Sequence, residues 1–266
     1  MTATVFDEGN SLTSIVNGVD ALGIAVSEPV LGETRLYQRL RSARKTAETA
    51  YEDALSRLRL APLEDFDTAQ EDLIAASLSM SAISQGVDRA LLRASTHRLQ
   101  AAVYDSLHTW EAEIVERFNE VVSQYNLNEL AGHLPNFSDP ASINVLSLTQ
   151  AQGAAIDAWR AAVNELRPLW RLYRHMARFN GHTIGPADVN DLSANLFTAC
   201  VLGNPGSFGR ADTAATIMAS AVFGSDATTR YAQLLPFVIP TMSGYDLHLS
   251  TADDASAIRR SIQPGS

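Results

Sequence analysis

The sequence predicts an all-α protein: a hairpin of long helices, a C-terminal cluster of short ones and an extended N-terminal arm. Three observations carry this. Residues 67–125 contain no proline and a single glycine, Gly86, and their apolar positions recur at intervals of three and four, the spacing of one helix face. Residues 35–60 and 149–179 show the same period, whereas the alternation that marks a strand is confined to residues 245–249.

In chain order, residues 1–34 carry Asp7, Glu8, Asp20, Glu28 and Glu33, no basic residue, and glycine at 9, 18, 23 and 32. Their apolar clusters are too short for a core of their own, so they read as an acidic arm that docks on its own subunit or on a neighbour. From Arg35 to Leu60, the positions Leu36, Leu40, Ala43, Ala47, Ala50 and Ala54 fall on one stripe whose alanines require a close-packed partner. The same segment opens with Arg35, Arg39, Arg41, Arg44 and Lys45. Cations at a helix start oppose its dipole, so an acidic partner is expected, either the arm or Glu64, Asp65, Asp67, Glu71 and Asp72.

Pro62 ends this helix, and Asp67 or Thr68 is placed to cap the next. Unbroken, the helix over 67–125 would span about 87 Å, and a break at Gly86 or at Ser95, Thr96 and His97 would give two ordinary helices. Gly132, Pro135 and Pro140 make 126–144 the expected boundary between a hairpin (35–130) and a C-terminal region (145–262). Helix resumes near Ser147 or Thr149 and runs to Phe179, with a kink or division expected at Pro168. Four short helices are expected at 188–202, 212–223, 226–235 and 251–262, followed by a flexible tail at 263–266.

Net charge is −10, which repels nucleic acid at long range. Of the twenty basic side chains only Lys45 is lysine, so the positive sites are guanidinium forks suited to carboxylate or phosphate. One cysteine, Cys200, rules out an intrachain disulfide. Asp7 and Glu8 stand where a secretory leader needs basic residues. The longest uncharged run, 192–209, is too polar and broken to span a bilayer. These features lead to the expectation of a cytoplasmic chain, or one in a virion if viral, with no membrane partner; the sequon at Asn136 then reads as a chance match.

The main candidate site is a basic stripe. Arg160, Arg167, Arg171, Arg174 and Arg178 are spaced seven, four, three and four, so they share a face beside Trp159, Trp170 and Tyr173. Arginines among aromatics suit a phosphate backbone with stacked bases; an acidic partner elsewhere in the chain is the competing and favoured account. Asp105, His108 and Glu111 offer metal-type ligands on adjacent turns, but the chain has no Glu-x-x-His, which a di-iron bundle needs twice. No metal and no cofactor are expected. His97, His133, His182 and His248 lack zinc spacing, and Cys200 reads as a core residue. The loop 203–210 has glycines before a helix but no Walker lysine, so it is an interhelical turn rather than a phosphate site.

With no catalytic constellation, the sequence is read as a non-catalytic, self-assembling structural protein, a coat, connector or filament subunit of virion or phage type, with itself as partner through the arm and the charged helical faces. The alternatives are a nucleocapsid-like subunit holding nucleic acid on the arginine stripe, and a helical enzyme using His108 or His175.

Overall fold

The structure is a computed structural model that describes residues 5–135, 147–182, 234, 237–238, 241 and 246–262, with only the backbone described at 5–7 and 258–262. The protein is all-α. In order run α1 (Val5–Ala21), α2 (Glu28–Leu60), a 3-10 turn (Leu63–Asp65), α3 (Phe66–Ser84), α4 (Val87–Gln124), α5 (Leu127–Leu130), a second 3-10 turn (Ala131–His133), α6 (Gln150–Phe179) and α7 (Ala252–Ile262). The chain forms two compact units, 1–107 and 108–266. Their boundary falls inside α4.

In the first unit, the segment read as an extended arm is helical. Leu12, Ile15, Val16 and Val19 of α1 fall at i, i+3, i+4 and i+7, and all are fully buried. At about 1.5–3 kcal/mol for each buried aliphatic side chain, this stripe outweighs the helix penalty of Gly9 and Gly18, which is about 1 kcal/mol each. Gly9 is there for a contact: a Cβ on it would lie 2.3 Å from Cε2 of Tyr37, a fully buried ring of α2. The Tyr37 hydroxyl donates to Asn10 Oδ1 at 3.3 Å. Gly23 ends α1 with a left-handed φ of 69°. Its N–H bonds to the Asp20 carbonyl and that of Ile24 to the Val19 carbonyl, the paired bonds of a Schellman stop with Val19 and Ile24 buried beneath it.

Helix α2 starts at Glu28 with proline in its first turn, seven residues before the sequence-based start. Arg35–Lys45 therefore sit beyond the first turn, and the expected clash with the dipole does not arise. Acidic partners are nonetheless present for several cations. Arg35 pairs with Glu28, Arg98 with Glu33 at 3.1 Å, Arg44 with Asp88 at 3.2 Å and Arg57 with Asp72 at 2.8 Å.

Residues 67–125 are two helices. Gly86 adopts a φ of 81°, strained for any side chain, and its carbonyl accepts the first α4 bond from the Ala90 N–H at 3.2 Å. Ser95 and Thr96 stay helical and buried; the Thr96 hydroxyl returns to the Leu92 carbonyl at 3.0 Å, which removes its need for another partner. Helix α3 begins at Phe66, with Asp65 at the cap position and no side-chain cap bond, so neither Asp67 nor Thr68 caps it.

In the second unit, α4 turns Trp110, Ile114, Phe118, Val121 and Val122 inward. Helix α6 opens on a capping box between Thr149 and Gln152, the reciprocal arrangement that satisfies two orphan N–H groups. It then buries twelve side chains, among them Ile156, Trp159, Leu166, Trp170 and Tyr173. Pro168 lies inside α6 without dividing it. Its cost of about 3 kcal/mol is exceeded by burial of Leu169, Trp170, Leu172 and Tyr173 just after it. Phe237 reaches the Phe118 ring, with centroids 6.1 Å apart.

The helices expected at 188–202 and 212–223, that at 226–235 except Leu234, and the tail at 263–266 lie outside the described residues. So do Cys200, the loop 203–210, the run 192–209 and the Asn136 sequon. Among the described residues no helix is long and apolar enough to cross a membrane.

Candidate self-association surface

Helices α2 and α3 pack as an antiparallel hairpin. Between residues 38 and 84 only Ala54 and Ala69 are buried, one small residue from each helix, which lets the two backbones approach closely. The hairpin's other apolar side chains are half-buried or exposed. Residues 73–87 hold no charged side chain at all, yet within them Ile74 is 53 % and Leu78 67 % exposed. Leu78 and Ile74 join Leu58, Phe66, Leu73, Ser77 and Ser81 in the walls of a groove of about 580 Å³. Exposed Val87 and Leu91 lie at the start of α4. A solvent-facing helix usually alternates its apolar stripe with charge, and α3 does so only in its first seven residues, at Asp67, Glu71 and Asp72.

The charge around this groove is polarised. At the hairpin tip, 61–72 contains Glu64, Asp65, Asp67, Glu71 and Asp72 and no cation; Arg57 and Arg59 stand beside them in the last turn of α2, Arg57 paired with Asp72, which leaves the tip acidic on balance. At the other end, 35–45 contains Arg35, Arg39, Arg41, Arg44 and Lys45 and no anion, and Arg89 and Arg93 follow on α4.

Helix α6 does bring the five arginines of the basic stripe onto one face. Arg167, Arg171 and Arg178 are exposed, and none has an ion pair among the described residues. Arg160 lies 3.3 Å from Asp157. Arg174 is half-buried with its guanidinium 5.8 Å above the Trp170 ring; burial, then the neighbouring Arg178, push its pKa down. The aromatics beside the stripe are core: Trp159 and Tyr173 are fully buried and Trp170 nearly so, with Trp170 stacked on Tyr173 at 5.6 Å. They present no open face on which a base could stack.

Asp105, His108 and Glu111 do not form a joint site. The first two are exposed, whereas Glu111 is buried and its carboxylate accepts the Ala252 N–H at 2.7 Å. Among the described residues no group of three or more histidine, cysteine, aspartate or glutamate side chains could hold a metal. His97 is exposed, His133 is exposed at the end of a 3-10 turn, and His248 projects outward. His182 lies 3.6 Å from Asp253. Burial and then Arg178 lower the pKa of His175 and favour its neutral form. Neither His108 nor His175 lines the grooves at Gly32–Ser42, Leu58–Ser81 or Asn119–His248.

Glu111 belongs to a set of polar contacts that sequence reasoning did not identify, and these hold the extended segment before α7. Asn119 and Asn128 each use a side-chain amide as a backbone mimic. Asn119 accepts from the Leu249 N–H at 2.8 Å and donates to its carbonyl at 2.9 Å. Asn128 does the same with Leu247 at 2.8 and 3.3 Å. Tyr173 donates to the Ser250 carbonyl at 2.9 Å, and Thr251 caps α7 by accepting from the Asp254 N–H at 3.1 Å. Leu247 and Leu249 point inward, Asp246 and His248 outward, so over 246–249 the alternation marks extended chain gripped by side chains; Tyr245 lies outside the described residues.

Burial raises the Glu111 pKa; the Ala252 N–H partly opposes this, and Asp253 adds to it. The folded chain thus holds this proton more tightly than the unfolded chain. The charged carboxylate costs stability above its raised folded pKa, and the cost is relieved as pH falls through that value. Glu111→Gln keeps an acceptor for Ala252 and removes the charge. It should match or exceed the native chain in denaturant midpoint at pH 7, and lose this contribution to the pH dependence. Glu111→Ala leaves a buried N–H without its acceptor and should cost about 1–3 kcal/mol in the same melts.

Comparison with protein-family models, with curated proteins and with solved structures finds no match to this chain.

Proposed function

We propose that the chain is a non-catalytic structural protein that assembles with copies of itself, the kind of subunit that builds a coat, connector or filament. The observation that carries this reading is α3, whose uncharged stretch from Leu73 onward exposes Ile74 and Leu78. Contiguous exposed apolar surface on a helix marks an interaction site, and self-association supplies a partner wherever the chain is made. Sedimentation across a hundredfold range of concentration tests it: mass should rise with concentration, and a monomer throughout would overturn the reading.

A nucleic-acid-holding version of the same assembly draws on Arg167, Arg171 and Arg178, which are exposed on one face of α6. It has less support, because the aromatics needed for stacking are buried and the net charge is −10. Ultraviolet absorbance of the purified assembly separates the two: a protein-only spectrum fits the first reading, and co-purifying nucleic acid released by salt fits the second.

A further inference from the structure

We infer that the occupant of the α2–α3 groove is the same hairpin of a second copy, docked antiparallel to form a four-helix bundle. The inference rests on the self-assembly reading and specifies its contact. A hairpin with one exposed apolar face is half of such a bundle, and a two-fold axis through the face makes the contact self-complementary and closed. The groove is suited to this: Leu58, Phe66, Ile74 and Leu78 are its knobs, and Ser77 and Ser81 leave room between them.

Charge selects the direction. An antiparallel pair lays the tip of each copy, with Glu64, Asp65, Asp67 and Glu71, beside the base of the other, with Arg39, Lys45, Arg89 and Arg93. A parallel pair sets these four carboxylates against their copies and cations against cations, and like charges in contact disfavour a partner strongly. The uncharged stretch 73–87 then lies between the two polarised ends, where it meets its symmetry mate without burying a charge.

The test uses the full chain in two measurements. Sedimentation compares the native chain with Leu78→Arg and with Ile74→Glu. Both positions are exposed, so helicity by circular dichroism should not change, while a buried charge at the contact should raise the dissociation constant about tenfold or more. Nitroxide distances are then measured with Leu63→Cys at the tip in a Cys200→Ser background. Antiparallel docking separates the two labels by roughly 28 Å or more, the length of a 19-residue helix, whereas parallel docking leaves them about one helix diameter apart, roughly 10 Å. A native chain that stays monomeric overturns this proposal together with the self-assembly reading. An oligomer that withstands both substitutions overturns the hairpin contact alone. Dissociation by the substitutions combined with the short label distance overturns the antiparallel arrangement.

Discussion

Trp159→Ala is expected to destabilise the second unit by about 3–5 kcal/mol, the range for truncating a large aromatic in a packed core. Trp159 is fully buried and ranks first by volume among the wholly enclosed side chains. It sits in the third turn of α6, between Ile156 and Val163 on the same buried stripe. Because whole domains are stable by only about 5–15 kcal/mol, the loss should shift the denaturant midpoint of this unit visibly and could unfold it at 37 °C. Trp159→Phe is the control. It keeps an aromatic filling and removes an indole N–H that has no hydrogen-bond partner among the described residues, so its cost should be well below that of alanine. Equal losses for the two substitutions would show that the site is not tightly packed.

The second large effect is expected at Gly9. A side chain there would meet Cε2, Cζ and Oη of Tyr37 at 2.3, 2.4 and 2.6 Å. The ring is fully buried, so it has little space into which to retreat. Gly9→Ala gains helix propensity of about 1 kcal/mol, but overpacking costs about 1–3 kcal/mol or more, and the net effect should be destabilising. Gly9→Val, larger and β-branched, should exceed it and release α1 in hydrogen exchange. The mechanism is checked by a double-mutant cycle. Tyr37→Leu alone is costly, but on that background Gly9→Ala should become nearly neutral or favourable, a coupling of the size expected for residues in contact. Additive effects would mean that Gly9 is required for a reason other than the ring.

Gly9 also shows why residues 1–34 were harder to read than 149–179. Thr149 and Gln152 announce a helix start through local chemistry, and the next thirty residues repeat one apolar period without a glycine after Gly153. Everything needed for that reading lies within a few turns. In α1 the period was also present, at Leu12, Ile15, Val16 and Val19, but two glycines argued against it. Their justification, at least for Gly9, is a ring 28 positions away in the chain. Gly86 was one of two break points the sequence offered, and as a local backbone event it was visible there, but the sequence did not separate it from Ser95–His97 or from an unbroken helix. The exposed face of α3 was not read from the sequence: its run without charge is visible in composition, but the pattern of three and four cannot distinguish a helix buried in its own chain from one left for a partner. The asparagine contacts had no local signal, since Asn119 and Asn128 meet residues more than a hundred positions later. Of the candidate site residues, the alignment of the five arginines followed from spacing alone. The burial of the aromatics beside them did not.

The two amide clamps have a consequence for how the C-terminal segment can vary. Asn119 and Asn128 bond only to main-chain atoms of Leu249 and Leu247, so they recognise position along the segment and are indifferent to side-chain identity at Asp246 and His248. Substitutions at those two outward positions are therefore free of this constraint. A single inserted or deleted residue is another matter, because a shift of one place exchanges the two faces of an extended chain. Asp246 and His248 would then be turned into the space now filled by Leu247 and Leu249, and the Thr251 cap would move out of line with Glu111. This stretch of chain should accordingly tolerate a change of spelling at its outer positions and resist any change of length.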